Sequence, residues 1–256
     1  MKRIIYLLSV IFISSNLFTQ NIIFKNIGAP ISKKDSIKII DMIYAEMNFY
    51  NKIYSIDSAY IKLNIYDDKS AYEEVRSKYR MKGVAGGGFF RSEDTTCYVL
   101  RNKNRERGYL PIVYHEMSHY FTRRIINKTP PIWLTEGLSE YFEYSEMKKK
   151  RLTHYLSEYV KGRIKTMIEI KEIDLKKHIA LSYHDFMKRQ ITDENYSYTL
   201  SHGIVYFLIE KDFEQFKTIV LKIKDGSSSY DAIQETYSGG FVQFERDFIA
   251  YYSKKS

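Results

Sequence analysis

The chain has a single cysteine, Cys97, among 256 residues, so no internal disulfide can staple it. Stability therefore rests on the core alone. Long apolar runs are missing too: Ile4 to Ile13, interrupted only by Ser9, is too short for a comfortable membrane span. No repeat or low-complexity linker divides the sequence, and Ser227-Ser228-Ser229 reads as a short turn. Gly86-Gly87-Gly88 lacks the Lys and Ser/Thr that a phosphate-cradling loop needs. Acidic residues are outnumbered, 31 against 40 Lys and Arg, leaving a net charge of +9. Yet the basic residues are scattered, apart from Lys148-Lys149-Lys150-Arg151 on an expected helix exit, and no nucleic-acid module accompanies them. A solvated basic surface is the reading. Neither the charge nor the 24 Tyr decides a function.

The N-terminus carries an address. Met1-Lys2-Arg3 precedes the apolar run, and Ser14, Ser15, Asn16 and Phe18-Thr19-Gln20 follow it. This is the layout of a Sec signal peptide cleaved near Gln20, with an uncleaved anchor as the alternative. Either way the rest of the chain is expected in the periplasm or outside the cell, with no stable membrane insertion after cleavage. No cysteine near the cleavage region supports a lipoprotein anchor.

Residues 21–256 suffice for one compact domain, expected as an αβ lobe to about residue 110 and a helical lobe beyond. The periodicity predicts a helix over 32–50, capped by Ser32 or Asp35, with Ile37, Ile40, Ile43, Tyr44 and Met47 in its apolar pattern. Ala59 to Tyr66 alternates as a strand with Ile61, Leu63 and Ile65 on one face. Ser70 to Tyr79 reads as a helix; Phe89-Phe90 and Cys97 to Leu100 read as strands, with Cys97 a packing residue. From residue 140 on, helices are expected over 151–162, 182–190, 197–211, 212–224 and 241–253. The class is α+β, with a mixed sheet ahead of a mostly helical half.

The chemistry concentrates in His115-Glu116-Met117-Ser118-His119, an HExxH phrase. Residues four apart share a helix face, so His115 and His119 can offer imidazole nitrogens to one metal about 2 Å from each. Glu116 projects about 100° around the helix, where it can reach a metal-bound water without ligating. A catalytic zinc needs a third protein ligand and an open fourth position. The stretch Trp133-Leu134-Thr135-Glu136-Gly137-Leu138-Ser139-Glu140-Tyr141-Phe142-Glu143 supplies a candidate. Pro130-Pro131 is expected to stop the first helix, and a second, starting near Trp133 or Thr135, brings Glu136 back against the histidines. Glu140 lies on the face of Glu136, able to accept a hydrogen bond from the outward nitrogen of a ligating His. Glu143 reads as an ordinary acidic surface residue.

HEMSH followed by WLTEGLSEYFE resembles the gluzincin metallopeptidases, closest to the bacterial peptidase MA-like domains. The resemblance is strong over residues 110–145 and traceable from about 60 to 250. It implies a zincin-like fold with a cleft between two lobes. It also implies His115, His119 and Glu136 as zinc ligands, Glu116 as general base, and Glu140 as support for a His. Two departures stand out. Sixteen residues separate His119 from Glu136, fewer than in the zinc aminopeptidases, and Glu140 replaces the Asp of thermolysin-like enzymes. A Tyr-x-x-Ser phrase of that family aligns with Tyr198 and Ser201, making Tyr198 or His202 the expected oxyanion donor. Of the other histidines, His154 and His178 are expected at the surface, and His184 at a helix start with its apolar side inward. Gly86-Gly87-Gly88 is either a hairpin bend or a rim where a peptide backbone approaches closely.

The resulting expectation is an exported, monomeric peptidase with one Zn2+ per chain, acting on peptide or protein and not on nucleic acid. The competing class is an inactive zinc-binding relative serving as a cell-envelope interaction module. A purely structural helical protein would leave Glu136 unexplained.

Overall fold

The computed structural model describes residues 21–79, 87–102, 104, 106–126, 129–149, 151–193 and 195–254. The leader expected over 1–20, Gly86 and Lys150 lie outside them. The protein is mixed α/β and mostly helical, with a small mixed sheet.

The first half alternates strands and helices: β1 (Asn21–Asn26), α1 (Lys33–Ile53), β2 (Ser58–Tyr66), α2 (Lys69–Lys78), β3 (Gly88–Arg91) and β4 (Thr96–Leu100). Ser32 caps α1 by accepting from the Asp35 N–H. β1 was unforeseen, because its segment shows no clean alternation. It pairs parallel with β2, β2 pairs parallel with β4, and β3 closes the far edge antiparallel to β4. Alternation sorts the side chains as expected, with Ile61, Leu63 and Ile65 buried together. On β4, Cys97 and Val99 join the main core while Tyr98 points the other way, into a small cluster with Tyr72 and Phe89.

Helix α3 (Leu110–Ile125) then packs on the sheet, and α4 (Ile132–Glu143) packs on α3. The prolines do not stop α3, which already ends at Ile125 with Ile126 as its C-cap; Pro131 instead stands at the N-cap of α4. The chain needs an extended residue there to turn, and proline holds that shape. Gly137 lets α4 cross closely under α8 (Tyr196–Lys211): a Cβ there would lie 2.5 Å from the Ser201 carbonyl oxygen.

The region after residue 143 departs most from expectation. Residues 145–154 form a hairpin, β5 (Ser145–Lys148) and β6 (Arg151–His154), where a helix exit and a helix over 151–162 were expected. Lys149 stands in the turn with φ 47°, and Lys148 pairs with Arg151 at the end of the hairpin, so these three basic residues lie at its tip. The helix starts later, as α5 (Glu158–Glu169), once Ser157 can cap it. Short α6 (Leu175–Ile179) and α7 (Tyr183–Thr192) follow, and after α8 come α9 (Phe213–Lys224), α10 (Ser229–Thr236) and α11 (Gly240–Ser253). The serine run read as a turn is the start of α10: Ser228 accepts from the Asp231 N–H. One buried cluster runs from β2 and β4 through α1, α3 and α4 to α11. None of the described helices is long and apolar enough to cross a membrane.

Candidate metal centre

Helix α3 is buried on most of its circumference, and its charged and imidazole groups meet α4. His115 and His119 both direct Nε2 at Glu136: the distances to Oε2 are 3.4 Å and 3.8 Å. These three ligand atoms lie within 4.8 Å of one another. Donor atoms around a tetrahedral zinc stand about 3.3 Å apart, given bonds near 2.0 Å. The cage thus has the right donors at nearly the right spacing. Glu136 Oε2 is buried and has no hydrogen-bond partner. An unpartnered buried carboxylate oxygen is costly, and a cation between it and the two imidazoles removes that cost. The residues present fit a divalent metal.

The outer nitrogens are also held. His119 Nδ1 lies 3.1 Å from Ser139 Oγ, and His115 Nδ1 lies 3.1 Å from Glu143 Oε2. Glu140 Oε1 stands further from that nitrogen, at 3.7 Å. The expected support from Glu140 is therefore shared, and Glu143 is the nearer carboxylate. Its role was legible in the i, i+4, i+7 spacing of Glu136, Glu140 and Glu143, which puts all three on one helix face. Nothing local marked Ser139. His115, Glu140 and Glu143 form a second group that could hold a metal, through the opposite nitrogen of His115. Arg107 already sits on that group: its guanidinium donates to the Glu143 carbonyl and lies 3.6 Å from Glu143 Oε1. Among the described residues, no Lys or Arg pairs with Glu136, whose ion-pair partners are His115 and His119.

Electrostatics follow from burial and from this crowd of carboxylates. Burial works against ionisation of Glu136, and the imidazoles of His119 and His115 outweigh it, keeping its carboxyl below the ordinary range. Burial pushes Glu116 up to about 8, with Glu136 and Glu143 adding to the push and His115 opposing it. Burial brings His119 down to about 4, leaving a neutral imidazole with a lone pair to share. Glu116 lies beside the cage, its Oε2 3.9 Å from His119 Nε2 and without a hydrogen-bond partner. Edge strand β3 passes directly above it. Any Cβ on Gly88 would meet Glu116 Oε1 at 2.8 Å and Ile112 Cγ2 at 2.6 Å, so only glycine permits this approach.

These groups open into a cavity of about 1120 Å³. Gly87, Gly88 and Phe90 form one rim, and Tyr198 stands on the other side with its ring 6.4 Å from that of His115. Burial, then the nearby carboxylates, push the Tyr198 phenol up, so it stays a neutral donor. His202 is not brought to the cavity. One turn below Tyr198, it is fully buried against Tyr144 and His154, with ring centroids at 5.1 Å and 5.6 Å. Helix α8 is buried on nearly all sides, so one turn along it leads into the core.

Two other histidines need correcting. His178 is buried, with Nε2 2.9 Å from Ser201 Oγ, and half-buried His154 stacks on Tyr141 at 3.5 Å. Lysine-rich neighbours hid this: Lys176 and Lys177 face solvent on a helix whose other side is core. His184 does begin a helix, but its side chain is exposed.

A family described as "Protein of unknown function (DUF1570)" matches residues 113–227. The match takes in α3 from Val113, all of α4 and the helices through α9, and it excludes β3. None of the curated proteins compared with the chain matches it.

Proposed function

We propose that the protein is a zinc-dependent peptidase of the gluzincin type, exported from the cytoplasm, with a zincin-like cleft between its sheet-bearing and helical halves. One observation carries this reading: two Nε2 atoms converge on an unpartnered Glu136 oxygen, with buried Glu116 alongside. Zinc held by His115, His119 and Glu136 would supply a Lewis acid and a water acidified to near neutrality.

The chain's own residues do the rest. Hydrolysis adds a hydroxyl to the scissile carbonyl carbon and a proton to the leaving nitrogen. Glu116, raised toward neutral pH by burial, takes that proton from water and delivers it to the amine. Tyr198 donates its phenolic hydrogen to the developing oxyanion. Edge strand β3 would offer backbone groups to an extended peptide, and Gly88 would let that peptide come close to Glu116. Glu143, Glu140 and Ser139 hold the imidazoles in the orientation that ligation needs.

The test is metal analysis of the purified protein paired with a peptide-library digest, with and without chelator. One zinc per chain and chelator-sensitive cleavage are expected. Zinc without cleavage would make the chain an inactive zinc-binding module. Absence of both would reject the reading.

A further inference from the structure

His115 reaches Glu143, and His119, one turn further along α3, reaches Ser139. The two helices therefore run antiparallel, and the start of α3 lies beside the end of α4. That end is electrically crowded. The last carbonyls of a helix have no amide of their own to accept from, and the helix dipole places partial negative charge there. Glu140 and Glu143 add two carboxylates, and the last turn of α4 contains no basic residue. The Tyr144 N–H serves the carbonyls of Glu140 and Phe142, not that of Glu143.

Arg107 supplies what α4 lacks. It stands in the connection before α3, eight residues ahead of His115 and outside both the HExxH and the WLTEG phrases. One of its amino groups donates to the Glu143 carbonyl at 2.5 Å, and the other lies 3.6 Å from Glu143 Oε1. Its guanidinium also covers the Tyr144 ring, 4.1 Å from the centroid, and reaches the Tyr155 hydroxyl at 3.4 Å. One side chain thus ties the entry of the histidine helix to the exit of the glutamate helix. With Oε1 turned to Arg107, the other oxygen of Glu143, Oε2, is the one that stands 3.1 Å from His115 Nδ1. Among the described residues, Glu116, Glu136 and Glu140 have ion-pair partners only in His115 and His119. Permanent positive charge therefore meets this acidic cluster at Glu143.

We infer that Arg107 is a positioning residue for the metal centre: it fixes the Glu143 carboxylate against His115, and through it the direction of the His115 imidazole. The inference rests on the metal-binding part of the proposed function and adds a residue that neither sequence phrase contains. A guanidinium suits the task because its rigid planar fork presents separate N–H groups to the carbonyl and to the carboxylate. If Arg107 served only to close the end of α4, the carbonyl contact would be enough.

The experiment separates these two roles. Zinc affinity is measured on the full chain by competition with a chromogenic chelator, for wild type, Arg107→Ala, Arg107→Gln, and each variant combined with Glu143→Gln. Arg107→Ala should weaken zinc binding by about threefold to tenfold, less than the usual cost of losing a group that touches a ligand directly. Arg107→Gln should weaken it equally, because an amide can donate to the Glu143 carbonyl but brings no charge to the carboxylate. Where Glu143→Gln is already present, either change should move the affinity by less than about twofold, since the group through which Arg107 acts is gone. Thermal unfolding of the metal-free proteins reports the helix-end contact by itself, and should fall for Arg107→Ala more than for Arg107→Gln. Should Arg107→Ala fail to fold, Arg107→Gln carries the test alone. Wild-type zinc affinity in Arg107→Gln, or an equal loss with and without Glu143, would overturn the inference and leave Arg107 a helix cap. A wild-type chain that binds no zinc would end the metal reading and this inference with it.

Discussion

Two pairs of histidines lie inside this protein, and only one of them has the makings of a site. His115 and His119 face three glutamates across α4; His154 and His202 face Tyr141, Tyr144 and Tyr206. Both pairs sit with buried polar atoms that lack hydrogen-bond partners: Oε2 of Glu136 beside the first, Nε2 of His154 and both nitrogens of His202 in the second. Burial and unsatisfied polarity are therefore common to the two. What distinguishes the first is convergence on an anionic oxygen that is itself unpartnered. A pair of imidazoles stacked among tyrosines is a packing layer; the same pair aimed at a carboxylate is a cation trap.

Replacing one histidine from each pair gives the largest contrast. His119→Ala should lose stoichiometric zinc and all chelator-sensitive cleavage, since a cage lacking one ligand is incomplete. His202→Phe should keep one zinc per chain. Zinc analysis by mass spectrometry of the two proteins decides, and equal zinc in both would erase the distinction.

Tyr198→Phe should retain zinc but lower turnover by about 10²–10³, the usual cost of one oxyanion donor. Steady-state kinetics on any cleaved peptide checks it, and a normal rate would return Tyr198 to the packing layer.

Smaller effects rank the supporting carboxylates. Glu143→Gln should weaken zinc affinity by about tenfold to a hundredfold. Glu140→Gln, further from Nδ1 of His115, should cost less. Competition titration with a chromogenic chelator gives both numbers. A larger loss for Glu140→Gln would restore the ranking that sequence spacing alone suggested.

Legibility divided along the same line. That His115, Glu116, His119 and Glu136 lie together was readable because their placement depends on helix spacing, which is local. Ser32 as a cap and the Ile61, Leu63, Ile65 face were readable for the same reason. His202 and His178 were misread because their surroundings come from distant segments: α8 is buried by α4 and α5, and Ser201 reaches His178 across the fold. The hairpin at 145–154 was missed because two four-residue strands are too short to show a period.

The least effect concerns stability in acid. Burial holds His202 neutral, with the charges of His154, Arg107 and His115 adding to it, so its folded pKa lies well below 6.5. The unfolded chain binds that proton below pH 6.5 and the folded one does not, so this group's contribution falls as pH drops. His202→Phe removes the penalty. Relative to wild type, the variant should therefore gain about 1.4 kcal/mol for each pH unit below 6.5. Urea unfolding at pH 6.5 and 5.5 tests this, and a constant difference between the two proteins would show His202 charged in the fold.

The central claim is that three residues hold the metal and a fourth, Glu116, moves the proton. Zinc content and peptide cleavage measured together on Glu116→Gln test it most directly. The account predicts one zinc per chain, as in wild type, with cleavage reduced by about 10²–10⁴. Loss of zinc from that variant would make Glu116 a ligand, and undiminished cleavage would remove it from the chemistry.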